Sequence, residues 1–84
     1  MKFRLVYTNR AVRDIDGLDS QPRERIKETL ERYSESPTNY NKKMVDPALG
    51  TYRFRIGDYR VIFDIEGNDI VVLRIGHRRD IYRK

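Results

Sequence analysis

Basic residues in the second half of the chain are spaced so that they collect on one side of a strand. Arg53 and Arg55 alternate with apolar residues, so in an extended segment they point away from the apolar side. The apolar members of this segment are Tyr52, Phe54 and Ile56. A guanidinium carries a planar fork of N–H donors that matches phosphate oxygens, which indicates a surface for an anionic ligand.

A tight turn at Gly57 and Asp58 joins this segment to a second strand, predicted over residues 59–65. Glycine adopts the positive φ that two-residue hairpin loops require, so the turn fixes the register. Arg55 then faces Arg60 across the hairpin. Like charges opposite each other destabilise a sheet, and a bound anion relieves that repulsion. The apolar pairs in this register are Tyr52 with Phe63, Phe54 with Val61 and Ile56 with Tyr59.

A third strand is predicted after a loop at residues 67–69. This loop length favours an apolar side formed by Val71, Leu73 and Ile75. The register one residue away would bury the charged Arg74, so the first register is preferred.

The opposite side of these strands forms a predicted arginine face. It consists of Arg53, Arg55, Arg60, Arg74 and, if the third strand continues, Arg78. Ile62 and Val72 are predicted to lie exposed between these arginines, which suits a protein partner as well as a nucleic acid. A solvated basic surface is the alternative reading, but arginine rather than lysine favours phosphate binding.

Composition limits the class of protein. The chain has 84 residues, a net charge of +5 and no cysteine, which predicts one small domain over residues 1–84, held together by its apolar core. The positive charge favours a nucleic acid or an acidic protein segment as partner. No run is apolar enough for a signal peptide or a membrane span. The expectation is a cytoplasmic protein with no membrane contact, no metal and no cofactor.

Two helices are predicted ahead of these strands. The first covers Asn9–Asp16, and the second begins at Ser20 and ends before Pro37. Their apolar stripes are formed by Ala11, Ile15 and Leu18 and by Ile26, Leu30 and Tyr33.

An N-terminal strand over residues 2–7 completes the predicted sheet, and residues 38–49 show no period and read as a loop. The fold class is therefore α+β in the order β-α-α-β-β-β. A two-helix hairpin is expected to pack on one face of a small, mainly antiparallel four-stranded sheet.

Two segments carry a family resemblance. Residues 52–63 read YRFRIGDYRVIF and residues 76–82 read GHRRDIY, which resembles the C-terminal signature of the RelE toxins within the RelE/ParE superfamily. The resemblance implies a toxin of a type II toxin–antitoxin system that enters the ribosomal A site, contacts rRNA and cuts mRNA. It implies a metal-independent endoribonuclease, in which a ribose 2′-hydroxyl attacks the adjacent phosphodiester. It also implies a RelB-like antitoxin that silences the toxin.

The same resemblance assigns residues to roles. The implied catalytic set is Arg53, Arg55, Arg60, Arg78 and Tyr82. In this set Arg60 grips the scissile phosphate, Arg78 stabilises it or assists the leaving group, and Tyr82 stacks on or orients a base. Arg53 and Arg55 stand where RelE toxins have lysines, and a guanidinium is a poor proton acceptor. Further RNA contacts are expected from Arg74, Arg79, Lys42 and Lys43, with a solvated linker as the alternative for the two lysines.

His77 is the only histidine of the sequence. Histidine exchanges its proton near neutral pH, which makes His77 a candidate acid or base. The predicted register places it on the side of Ile75, so a half-buried structural residue is the alternative.

Non-nucleolytic functions stay open beside the nuclease. One is a ParE-like protein that binds DNA gyrase, or an inactive toxin that only binds its antitoxin. Another is an RNA-binding module without chemistry, in which arginines and Tyr59 or Tyr82 form a stacking and charge platform.

Overall fold

The computed structural model describes residues 3–35, 41–43 and 52–81, with the backbone alone for residues 41–43. Within these residues the chain forms two helices and five strands. Their bounds are β1 Arg4–Tyr7, α1 Asn9–Asp16, α2 Ser20–Tyr33, β2 Asn41–Lys43, β3 Tyr52–Ile56, β4 Tyr59–Glu66 and β5 Asp69–His77.

The strands form a single mixed sheet in the order β1-β5-β4-β3-β2. β1 runs parallel to β5, and the other neighbours are antiparallel. This arrangement confirms the α+β fold class and places the first strand beside the last. It also adds β2, a short strand inside the segment that was predicted to be a loop. Three residues are too few to show an alternating pattern, so no periodic signal marks this edge strand.

The helices begin and bury their residues as the sequence predicts. Thr8 caps α1, because its Oγ1 accepts a hydrogen bond from the Ala11 N–H at 3.1 Å and also donates to the Leu73 carbonyl at 3.1 Å. The cap therefore ties the start of α1 to β5. The buried apolar residues of the helices are Ala11, Ile15, Ile26 and Leu30. No helix in the described ranges is long and apolar enough to cross a membrane.

Aromatic rings join the helices to one face of the sheet, called here the helix-covered face. The ring of Phe54 lies 4.3 Å from that of Phe63 and 4.9 Å from that of Tyr33 on α2, measured between centroids. Tyr52 stacks on Phe63 at 5.5 Å. The register between β3 and β4 is the predicted one, including Arg55 opposite Arg60. The buried core therefore lies on the face of the sheet that this register predicts.

The turn between β4 and β5 corrects the predicted register of the third strand. It uses two residues, Gly67 and Asn68, and not three, so Glu66 pairs with Asp69. Gly67 has a φ of +60°, the left-handed value that favours glycine in such a turn. The core-facing residues of β5 are consequently Ile70, Val72 and Ile75, whereas Val71 and Leu73 were predicted.

A β-bulge explains how this register keeps a charge out of the core. Phe63 pairs with Val72 and Ile62 pairs with Arg74, so Leu73 is an extra residue in β5. The extra residue shifts the alternation by one position. A strictly alternating β5 would have buried Arg74 after Val72, but the bulge turns Arg74 outward.

Ile62 and Val72 are not the exposed pair that was predicted, since both have 0% of their surface accessible. Val72 belongs to the core on the helix-covered face. Ile62 lies on the arginine face by alternation with Val61 and is nevertheless buried. The sequence argument for a protein partner at these two side chains therefore loses its basis.

Candidate functional site

Arg60 lies on the arginine face, in the middle of the three long strands. It faces Arg55 on β3 and Gly76 on β5, and Gly76 contributes no side chain beside the guanidinium. Its Nη1 donates to the carbonyls of Gly57 and Tyr59, both at 2.9 Å. These two bonds hold the guanidinium against the β3–β4 turn. Three N–H groups, on Nε and Nη2, have no partner among the described residues and are available to an anion.

Arg78 reaches the same turn from the end of β5. Its backbone N–H donates to the Asp58 carbonyl at 2.7 Å, and its Nε lies 3.7 Å from Asp58 Oδ1. Both side chains are more than half exposed, so this ion pair contributes little stability and a phosphate can replace the carboxylate. The structure therefore brings Arg60 and Arg78 together at one turn.

Two further arginines of the predicted set lie on β3. Arg55 is exposed and sits opposite Arg60. Arg53 is half-buried and sits opposite Ile62. Both add positive charge to the arginine face, and the half-buried position gives the charge of Arg53 less screening by water.

Arg74 lies opposite Ile62, but its side chain is committed to α1. Its Nε lies 2.8 Å from Asp14 Oδ2, and the same oxygen accepts the Ile75 N–H at 3.0 Å. β1 ends before this part of β5, so the Ile75 N–H at the edge of the sheet has no partner on β1. The carboxylate of Asp14 accepts this N–H instead. Arg74 consequently has a structural partner on α1.

His77 points to the helix-covered face and not to the arginine face. It pairs with Tyr59, and the two rings meet edge to face at 5.6 Å. Its Nδ1 accepts the Arg79 N–H at 3.1 Å, so the neutral ring carries its proton on Nε2. The register places Arg60 on the reverse side of the sheet, which separates the candidate acid or base from the arginine pair.

The other predicted site residues are described only in part. Tyr82 lies outside the described residues, and for Lys42 and Lys43 the structure gives the backbone pairing of β2 with β3 alone. Arg79 is exposed in the turn that follows β5. In the parts of the chain that the structure describes, no three histidine or carboxylate side chains are grouped to hold a metal ion.

An arginine that sequence reasoning missed also reaches the β3–β4 turn. Gly57 has a φ of +59°, and a Cβ built there would lie 3.0 Å from Nη1 of Arg25 on α2. Arg25 is exposed, and within residues 3–35 and 52–81 no side-chain partner for it is found. No local signal marks it, because its position depends on contact with a turn far away in sequence. Arg25, Arg60 and Arg78 are called the turn arginines below.

Comparisons with known proteins agree on one group of toxins. Residues 5–82 match the family described as the ParE toxin of the type II toxin–antitoxin system, parDE. Toxin RelG of Mycobacterium tuberculosis is 31% identical over 87 aligned positions that cover 100% of both chains. Toxin RelE3 of Methanocaldococcus jannaschii is 26% identical, over 95% of this chain and 96% of the relative. The crystal structure of the toxin–antitoxin complex RelBE2 from M. tuberculosis contains a chain with a TM-score of 0.84 and 26% identity, covering 93% of this chain and 100% of that one.

Proposed function

Because the chain belongs to the RelE/ParE superfamily of type II toxins, we propose that it inhibits translation by cutting mRNA in the ribosomal A site. The observation that carries this proposal is that Arg60 and Arg78 each contact the β3–β4 turn. Arg60 has three N–H groups without a partner among the described residues, and Arg78 has an exposed guanidinium, so the two suit one phosphate between them.

The proposed reaction needs no metal. The 2′-oxygen of a ribose forms a new bond to the adjacent phosphorus, and the bond from phosphorus to the 5′-oxygen breaks. A 2′,3′-cyclic phosphate and a 5′-hydroxyl result, with one proton lost from the 2′-hydroxyl and one gained by the leaving oxygen. Negative charge grows on the phosphoryl oxygens in the transition state, and Arg60 and Arg78 stabilise it there.

Arg53 and Arg55 contribute charge and not proton transfer. A guanidinium offers N–H donors and no acceptor atom, so it is a poor acceptor for the 2′-proton. His77 faces the other side of the sheet and is not placed to serve the Arg55 and Arg60 pair. The acceptor is then supplied from outside these residues, by Tyr82, by water or by the ribosome.

A RelB-like antitoxin is the proposed protein partner. The solved relatives include toxin–antitoxin complexes, and an acidic segment fits the net charge of +5 on this chain. Such a segment silences the toxin if it covers the turn arginines, because the same N–H groups then bind carboxylates in place of phosphate. Co-expression with the neighbouring reading frame should yield a complex that survives moderate salt.

The test compares two arginines at the turn with one elsewhere. Arg60→Ala and Arg78→Ala should each lower the rate of mRNA cleavage by roughly 100-fold or more, as when one oxyanion donor is removed. Arg32→Ala removes the same charge from an exposed position on α2 and should leave the rate within about twofold. In vitro translation followed by primer extension gives the rate and the cleavage position.

Two outcomes would reject the nuclease. One is intact ribosome-bound mRNA with the wild-type protein in every codon context tested. The other is equal loss of cleavage in Arg60→Ala and Arg32→Ala, which would mean that net charge alone matters.

A gyrase-directed toxin is the second candidate, because the family that matches residues 5–82 is named for ParE. Under that function wild-type protein inhibits DNA supercoiling by purified gyrase and leaves mRNA intact. The nuclease requires the reverse pair of results.

A further inference from the structure

A groove opens beside the β3–β4 turn, on the helix-covered side of the sheet. It has a volume of about 250 Å³ and is lined by Gln21, Pro22, Arg25, Ile26, Ile56 and Tyr59. This volume is just below the range of pockets that hold drug-sized ligands, so it suits a single small planar group. The floor is apolar and the rim carries Gln21 and Arg25. Such a lining matches a nucleobase with its adjacent phosphate.

Arg25 is placed where the groove meets the turn. Its guanidinium occupies the space that a side chain at Gly57 would fill, with 3.0 Å between Nη1 and the ideal Cβ position. The glycine therefore does more than permit the turn, because it lets an α2 arginine approach the backbone next to Arg60 and Arg78. Together the turn arginines surround the turn from both sides of the sheet.

We propose that this groove binds one nucleotide of single-stranded RNA, next to the phosphate held by Arg60 and Arg78. The base lies against Tyr59, and Arg25 binds the phosphate of that nucleotide. The inference rests on the proposed function and extends it, since it adds a binding site that the arginine face does not contain. The RNA chain crosses the edge of the sheet at the turn, where Gly57 and Asp58 leave little side chain in its way.

Charge favours RNA over a protein segment as the occupant. Among the residues that the structure describes, no carboxylate lines this groove, and the one ionised side chain there is that of Arg25. A second groove, lined by Tyr7, Val12, Ile15, Asp16, Lys27 and Glu31, carries both signs of charge on a largely apolar floor. Mixed charge around an apolar floor suits a protein partner, whereas an arginine beside an aromatic ring suits a nucleotide.

The test measures binding to a short single-stranded 2′-O-methyl RNA, which cannot supply the attacking hydroxyl. Affinity is followed by fluorescence anisotropy over a range of salt concentrations. Arg25→Gln should reduce the slope of log affinity against log salt by about 0.7, the value for one phosphate contact to a single strand. Lys27→Gln is the matched control, because it removes one charge two positions along α2 and lines the other groove. Its slope should equal that of the wild type.

A second variant tests the base contact. Tyr59→Leu should weaken binding by roughly 5- to 100-fold with an unchanged salt slope, because stacking on an aromatic ring is lost and no charge is. Urea unfolding identifies whether this variant is folded under the assay conditions. If it is not, Arg25→Gln alone decides.

The groove is rejected if Arg25→Gln and wild type give the same salt slope, including the case in which neither binds. It is also rejected if Arg25→Gln weakens only the complex with the antitoxin, which would make the groove a protein site. Failure of the proposed nuclease is separate, because it appears as intact mRNA in the translation assay while the Arg25-dependent binding of uncleavable RNA persists.

Discussion

The two faces of this small sheet are built for different purposes from alternate residues of the same strands. On the helix-covered face, Phe54 and Phe63 stack and are fully buried beneath the helices. On the arginine face, Arg55 and Arg60 lie opposite each other and repel. The first arrangement holds the fold and the second gives up stability to keep positive charge in place. Substitutions on one face should therefore change unfolding, and substitutions on the other should change ligand binding.

The division into an apolar face and a charged face is not complete, because the arginine face also contains buried apolar side chains. Ile62 is on the arginine face but has no accessible surface. Ile81 is also nearly buried, and its Cδ1 would lie 3.1 Å from a Cβ at Gly76, which belongs to the same face as Arg60. The turn after β5 thus covers part of the arginine face with an apolar side chain. Of the predicted arginine face, the exposed members are Arg55 and Arg78, both close to the β3–β4 turn.

The largest effect is expected on the helix-covered face. Phe63→Ala removes a ring that contacts both Phe54 and Tyr52, and it should lower the free energy of unfolding by about 3 to 5 kcal/mol. That is a large share of the stability of a domain this size. Urea unfolding followed by circular dichroism measures it. An unchanged midpoint would contradict the core described above and break the comparison between the faces.

An intermediate effect is expected where the two faces meet at the edge of β5. Asp14→Ala removes the acceptor for the Ile75 N–H and the partner of Arg74, and it should cost about 1 to 2 kcal/mol. Asp16→Ala on the same helix is exposed and serves as the control. If Asp14→Ala leaves stability unchanged but alters RNA cleavage, Arg74 belongs functionally with the arginine face.

The smallest effect concerns pH. Burial, with the negative charge of Glu31 as a second cause, raises the pKa of Tyr7 above its ordinary value of 10.0. The folded state therefore favours the protonated phenol, and this contribution is fully present below about pH 10 and is lost as pH rises through the folded-state pKa. Between about pH 9 and pH 11, wild type should lose more unfolding free energy than Tyr7→Phe. Equal losses in urea titrations at the two pH values would refute the assignment to Tyr7.

Much of the fold follows from local signals, and the β3–β4 hairpin shows why. Strict alternation around Arg53 and Arg55, followed by Gly57, leaves one register that keeps charges out of the core, and that register is observed. The same logic failed for β5 because alternation is not conserved through a bulge. Leu73 is an extra residue there, and the apolar run from Ile70 gave no sign of which position it would take.

The sequence predicted a site spread over the arginine face. In the structure the candidate site lies around the β3–β4 turn. Alternation correctly places Arg55 and Arg60 together, but it says nothing about where a long side chain ends. Arg74 turns to Asp14 on α1, and Arg25 approaches Gly57 from α2. Both contacts join residues that are distant in sequence, so neither leaves a periodic pattern. His77 was placed on the side of Ile75 by its spacing, and the structure agrees.

The parallel pairing of β1 with β5 also sets a limit on when the molecule can fold during its own synthesis. Arg4 pairs with Asp69, which is 65 positions later in the chain. At typical synthesis rates about 3 to 13 seconds separate the two residues. During this interval β1 has no partner strand, because among the described strands it pairs with β5 alone. A nascent chain therefore cannot assemble this sheet, or the surfaces that depend on it, until β5 has been made.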